Sequence, residues 1–219
     1  MNQSPQQRNQ RRGSPRSSTT SKKPNNYAFI DSQNLNLGVQ KIGWKMDWRK
    51  FRQWLEEKYG VTHAYMFIGY MAENESLYEL MHEHGYLIVL KPTLEIKAPV
   101  EALSEEQVVE KAKQLVAVTV DGEAETEKPK MIVKGNIDAD LVLYAMKELP
   151  NYDQAVIVSG DGDFLSLIEY LADQKKLLKL LTPNRRYSTL LKDYESYIEG
   201  IDQHRGELAY RDRRYQKKK

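Results

Sequence analysis

Four aspartates and their neighbours carry the chemistry this chain can offer. Asp31 directly follows the apolar run Tyr27-Ala28-Phe29-Ile30. Asp161 and Asp163 directly follow a second apolar run, Ala155-Val156-Ile157-Val158, in the stretch Ser159-Gly160-Asp161-Gly162-Asp163-Phe164. Asp138 lies in Lys134-Gly135-Asn136-Ile137-Asp138-Ala139-Asp140-Leu141. At ~100° per residue, Ile137, Leu141, Val142, Ala145 and Leu149 share one helix face, with Asp138 in its middle. Asp140 lies roughly opposite, near Lys147, where compensating the helix dipole is role enough. An inward carboxylate needs a partner, because an unpaired buried charge is costly. Carboxylates packed together repel unless cations or protons separate them. All-oxygen donors without a thiolate suit Mg²⁺ or Mn²⁺. Such an ion shields phosphate oxygens and assists in-line attack by water, which is the chemistry of phosphodiester hydrolysis. Plainer roles exist for each acid. Asp31 and Asp161 suit ordinary loops, Gly160 and Gly162 suit a tight turn, and Asp163 suits the N-cap of a helix.

The acids need a scaffold that brings two strand ends and one helix together. Five apolar runs read as strands: Tyr27–Ile30, Thr62–Ile68, Tyr86–Leu90, Ala155–Val158 and Lys176–Leu181. Between them fall helical stretches. One is capped by Asp47 and runs from Trp48 to about Tyr59, where Gly60 ends it; another is capped by Asn74 and runs to about His84, with Gly85 as its stop. Two more run from Asn136 through Leu149 and from Asp163 to about Ala172, and a last helix follows from about Ser188. Strands alternating with helices mean an α/β fold with a mainly parallel sheet. Right-handed crossovers put strands 1, 2 and 3 on one side and strand 4 on the other side of strand 1. Ligands bind where the strand order reverses, beyond the carboxyl ends of the strands. The reversal falls between strands 1 and 4, the two that end in Asp31 and in Asp161 and Asp163. Residues 97–132 break the rhythm. Ser104 to about Leu115 reads as a helix and Asp121-Gly122 as the tip of a β-hairpin, giving an insertion suited to a lid, a second copy or a protein partner.

Composition narrows the classes. The chain has 219 residues, 29% of them charged, and no cysteine. At ~150 residues per domain that is one domain with extensions. Without cysteine there are no disulfides, thiolate metal sites or cysteine nucleophile, and a reducing, cytoplasmic setting fits. No run of ~18 apolar residues crosses a membrane. Residues 1–26 lack an apolar segment and do not read as a secretory signal. They carry six basic residues and no acid, and residues 205–219 carry a net +5, which leaves −9 on residues 27–204 of the overall +2. An acidic body between two basic tails invites a polyanion such as RNA, and equally suits plain solubilising ends. Residues 1–26 have the composition of a disordered tail. The histidines, His63, His82, His84 and His204, have no metal-binding spacing and are read as surface or structural. No P-loop, dinucleotide fingerprint or hydrolase elbow occurs.

Three motifs in order resemble a known family. Phe29-Ile30-Asp31-x-x-Asn34-Leu35, Lys134-Gly135-Asn136-Ile137-Asp138-x-x-Leu141 and Ser159-Gly160-Asp161-Gly162-Asp163-Phe164 are similar to those of NYN domains, closest to the LabA-like branch of the PIN-like nuclease superfamily. The resemblance spans residues 27–200, apart from the 97–132 stretch. It implies a three-layer α/β PIN-like fold with a five-stranded sheet in the order 3-2-1-4-5. It implies a Mg²⁺- or Mn²⁺-dependent ribonuclease site at Asp31, Asp138, Asp161 and Asp163, and it sets Asn34 as a polar residue near the first acid. Ser159, Lys134, Arg185 and Arg186 are the candidate RNA contacts, since all lie at or before the carboxyl edge or the Asp138 helix. The competing reading is a non-catalytic RNA-binding or scaffold module with the same fold and tails. A phosphatase with a strand-end nucleophile is disfavoured, because Gln33 stands where its second acid belongs.

Overall fold

The structure is a computed structural model and describes residues 23–70, 74–91, 94–96, 132–134 and 137–211. The first strand, β1 (Asn26–Asp31), is buried along its whole length. It leads into α1 (Ser32–Gln40), then α2 (Trp48–Tyr59), β2 (Val61–Gly69), α3 (Glu75–Glu83) and β3 (Tyr86–Lys91). After β3 come β4 (Leu94–Ile96) and β5 (Ile132–Lys134), which pair antiparallel as a separate two-stranded ladder. Next are α4 (Ile137–Lys147), β6 (Ala155–Val158), a 3₁₀ turn at Gly162–Phe164, α5 (Leu165–Asp173) and β7 (Leu177–Thr182). The chain ends with a 3₁₀ stretch at Thr189–Tyr197, β8 (Ile198–Gly200), a 3₁₀ turn at Ile201–His204 and α6 (Arg205–Leu208).

The main sheet has six parallel strands in the order β3-β2-β1-β6-β7-β8. The order is the expected one with a strand added at the edge. β8 is only three residues long, too short to stand out from its surroundings in sequence.

Alternation along β1 and β6 splits the core into two layers. Ala28, Ile30, Val156 and Val158 pack on one face with Leu35 and Val39 of α1 and Phe51 and Leu55 of α2. Phe29 and Ile157 pack on the other with Leu141 and Ala145 of α4 and Leu167 and Ile168 of α5. Parallel strands covered on both faces must be apolar on both, which accounts for the unbroken runs.

Several local expectations change in detail. α1 was not anticipated. Its nine residues include Asn34, Asn36 and Gly38, weak helix formers, and it is held by Asp31 as N-cap and by burial of Ser32, Leu35 and Val39. Asp47 caps α2 as expected, accepting from the Lys50 N–H at 3.2 Å. Asn74 makes no side-chain cap on α3. Asp163 is not a cap. Asp161 is, accepting from the Asp163 N–H at 3.1 Å, and Asp163 stands in the first turn. The helix expected from Ser188 is a 3₁₀ stretch, with a break in helical geometry at Tyr194. Packing runs past residue 204, where the basic tail was expected to begin: Leu208 is buried and Ala209 bridges to Met46. At the other end Asn25 is tied to Asp153 and Asn151, so packing begins before residue 27. Asn136, residues 97–131 and the outer parts of both tails lie outside the described residues.

Candidate active site

β1 and β6 are neighbours in register, Ile30 opposite Val158, so the next residue of each, Asp31 and Ser159, emerges at the same sheet edge. Asp31 is 6% exposed. Its Oδ1 accepts from the Asn34 N–H at 3.0 Å, and its Oδ2 accepts from the Ser159 hydroxyl at 3.2 Å. The Ser159 oxygen in turn accepts from the Asp161 N–H at 3.1 Å. The Asn34 side-chain oxygen accepts from the Gly160 N–H at 2.9 Å. Two hydrogen-bonded bridges therefore lock the first turn of α1 to the loop after β6. A Cβ at Gly162 would stand 3.0 Å from Leu190 Cδ1 and crowd the Ser188 hydroxyl, so a larger residue there would have to move both side chains.

Electrostatics knit the acids together. Burial pushes the Asp31 carboxyl above its ordinary pKa. The bonds from Asn34 and Ser159 oppose this, and the charges of Asp138 and Asp161 reinforce it. Burial also raises Asp138, and then Asp161 and Asp163 raise it further. The four acids thus act on one another as neighbours. Asp138 lies half-buried beside the buried Ile137, Leu141 and Ala145 on the inner face of α4. Among the described residues it has no hydrogen-bond or ion-pair partner, and none of the four acids is in an ion pair. Asp140 differs: it pairs with Lys91 at 3.0 Å, across to the end of β3 rather than along its own helix to Lys147. Among the described residues no three acids or imidazoles close into one ligating cluster. Spread carboxylates are what mutual repulsion without a counter-charge produces. The donor set, hard oxygens with no offsetting cation, fits a divalent ion of the Mg²⁺ type.

The raised Asp138 gives a pH prediction. A carboxyl whose folded pKa exceeds its unfolded value favours the fold when protonated. Its cost is absent below the ordinary value of 3.8 and grows as pH rises through the folded pKa. Asp138→Asn, which cannot ionise, should therefore melt higher than wild type at neutral pH in EDTA, with the two curves meeting below the ordinary carboxylate range. Thermal melts across pH check this; an unchanged difference at all pH values would refute it.

The remaining candidates separate. Lys134 ends β5, opposite Leu94. The adjacent arginines line different clefts. Arg185 lines one of about 290 Å³ with Thr182, Tyr187 and Glu195. Arg186 lines one of about 270 Å³ with Asn34, Gly160 and Asn184, next to the acids. Lys41, Leu37, Pro183 and Asn184, also in that second cleft, were missed from sequence. Leu37 belongs to the unforeseen α1 and Lys41 is its C-cap, while Pro183-Asn184 directly follows β7, another strand end. His204 is structural, bonded to Glu199 at 2.7 Å and tilted against the Trp54 ring.

Among the described residues no helix is long and apolar enough to cross a membrane. A search of curated proteins finds no significant match. Among solved structures, the fold is similar to the crystal structure of a protein of unknown function from Vibrio parahaemolyticus. That match has 19% identity and a TM-score of 0.54, and covers 87% of this chain and 99% of the other. The NYN domain model matches residues 27–199. That span takes in β1, β6 and all four aspartates, and with the parallel α/β sheet of PIN-like order it places the chain in the NYN domain family.

Proposed function

We propose that the protein is a Mg²⁺- or Mn²⁺-dependent ribonuclease of the LabA-like branch, acting on RNA in the cytoplasm. The observation that carries this is the set of four carboxylates at the strand-order reversal, in which burial and the neighbouring aspartates raise Asp31 and Asp138 and none of the four is ion-paired among the described residues. Asp31, Asp138, Asp161 and Asp163 would hold the ion. When bound, it supplies Lewis acidity toward a phosphate oxygen and toward attacking water. Hydrolysis there would exchange the P–O bond to the leaving nucleotide for one to a water oxygen, with a proton of that water ending on the leaving oxygen. Ser159 and Asn34 keep Asp31 pointed and ionisable through the bonds described above, and the basic tails concentrate the polyanion.

Incubation with single-stranded RNA tests this. Cleavage should require Mg²⁺ or Mn²⁺ and stop with EDTA. Undiminished cleavage in EDTA would sink the proposal. Tight RNA binding with no cleavage under any divalent ion would favour a non-catalytic binding module instead.

A further inference from the structure

The cleft beside the acids has the make-up of a nucleotide site. One wall is α1, with Leu37, and the residues that follow it, Lys41 and Ile42; the other is the turn after β7, with Pro183 and Arg186; Asn34, in the first turn of α1, lines it too. The walls are built to stay close. The Asn184 amide donates to the Gly38 carbonyl at 2.8 Å, and its oxygen accepts from the Arg186 N–H at 2.8 Å. A side chain on Gly38 would run into Pro183, so glycine there sets the separation of the walls.

Its chemistry is of two kinds. Lys41 and Arg186 are exposed cations, neither in an ion pair among the described residues. The Asn34 oxygen is engaged by Gly160, while its NH₂ makes no hydrogen bond among the described residues and remains a donor. Against these stand two apolar side chains, Leu37, which is 46% exposed, and the half-buried Ile42, while Pro183 in the same wall is buried. Cations with a free amide suit a phosphate, and accessible aliphatic side chains suit the face of a base. A volume of about 270 Å³ is near the low end of small-ligand sites, ~300–1,000 Å³, which fits one nucleotide rather than a longer stretch.

We propose that this cleft is a mononucleotide subsite for the RNA chain. The phosphate sits on Lys41, Arg186 and the Asn34 amide, and the base lies against Leu37 and Ile42. Its place beside the bond to be cut rests on the ribonuclease reading above; its ability to bind a nucleotide does not.

Binding of AMP, adenosine and inorganic phosphate to the full-length protein in EDTA tests this without turnover. AMP should bind more tightly than either fragment. Lys41→Ala and Arg186→Ala should each weaken AMP about tenfold, as loss of a charge-assisted bond does, and leave adenosine unchanged. Leu37→Glu, at an exposed position that should not disturb folding, should weaken both AMP and adenosine. Equal AMP affinity in wild type and the Lys41→Ala/Arg186→Ala double variant would overturn the proposal. So would phosphate binding as tightly as AMP, which would mark a bare anion site. AMP binding that follows this pattern in a protein that cuts no RNA would support the subsite while refuting the nuclease.

Discussion

Asp161→Asn should lower metal-dependent RNA cleavage by at least ~100-fold, the scale expected when an ion that both activates water and holds phosphate loses a ligand charge. The substitution isolates charge from structure. Asp161 caps the 3₁₀ turn at Gly162–Phe164 by accepting from the Asp163 N–H. An asparagine oxygen accepts the same bond and is an equally good cap, so the turn and the loop after β6 should be kept. The melting temperature in EDTA should therefore stay close to wild type, or rise slightly as repulsion among the acids is relieved. What disappears is one negative charge beside Asp31 and Asp138. Initial rates over a Mn²⁺ titration, with melting curves of both proteins, make the comparison. Equal rates in wild type and variant would remove Asp161 from the site.

The second large effect separates two acids on one helix. Asp138→Ala should abolish cleavage, with a loss again of at least ~100-fold, whereas Asp140→Ala should leave the rate within about threefold, as expected of a solvated ion pair distant from the chemistry. Asp138 feels the charges of Asp161 and Asp163 and has no ion-pair partner among the described residues. Asp140 has one, Lys91 at 3.0 Å, and points toward the end of β3. Removing it should cost at most ~1 kcal/mol of stability, since both partners are partly exposed. A more damaging Asp140→Ala would mean that the Lys91 pair, and not Asp138, supports the reaction.

Much of this arrangement is legible in the residues. The acids that follow β1 and β6 stand out because both strands are uninterrupted apolar runs, and crossover handedness alone sets them side by side. Asp138 stands out because its helix has a clear inner face. What is hidden is hidden for physical reasons. α1 carries two asparagines and a glycine, so its propensity is poor; it is made by a cap and three buried residues that only the folded chain supplies. Without α1, the role of Asn34 as a bridge to Gly160 and the cleft beside it have no basis in sequence. β8 has three residues and no pattern to read. Arg185 and Arg186 look like a pair, yet the turn after β7 sends them to separate clefts.

The bond from Ser159 to Asp31 joins residues 128 apart in the chain. That separation ties the site to the order in which the fold can form. β1, β2 and β3 with α2 and α3 make a block from one contiguous half of the sequence, whose contacts are comparatively local. The pairing of β1 with β6 must close the whole intervening chain, and such distant contacts bear the largest loop-closure entropy and form slowly. The contact that assembles the carboxylates is therefore among the most non-local in the molecule. A chain still being synthesised has Asp31 early but lacks Ser159, Asp161 and Asp163 until β6 has emerged. Until β6 and the turn after it have emerged, the four carboxylates of the candidate site cannot come together.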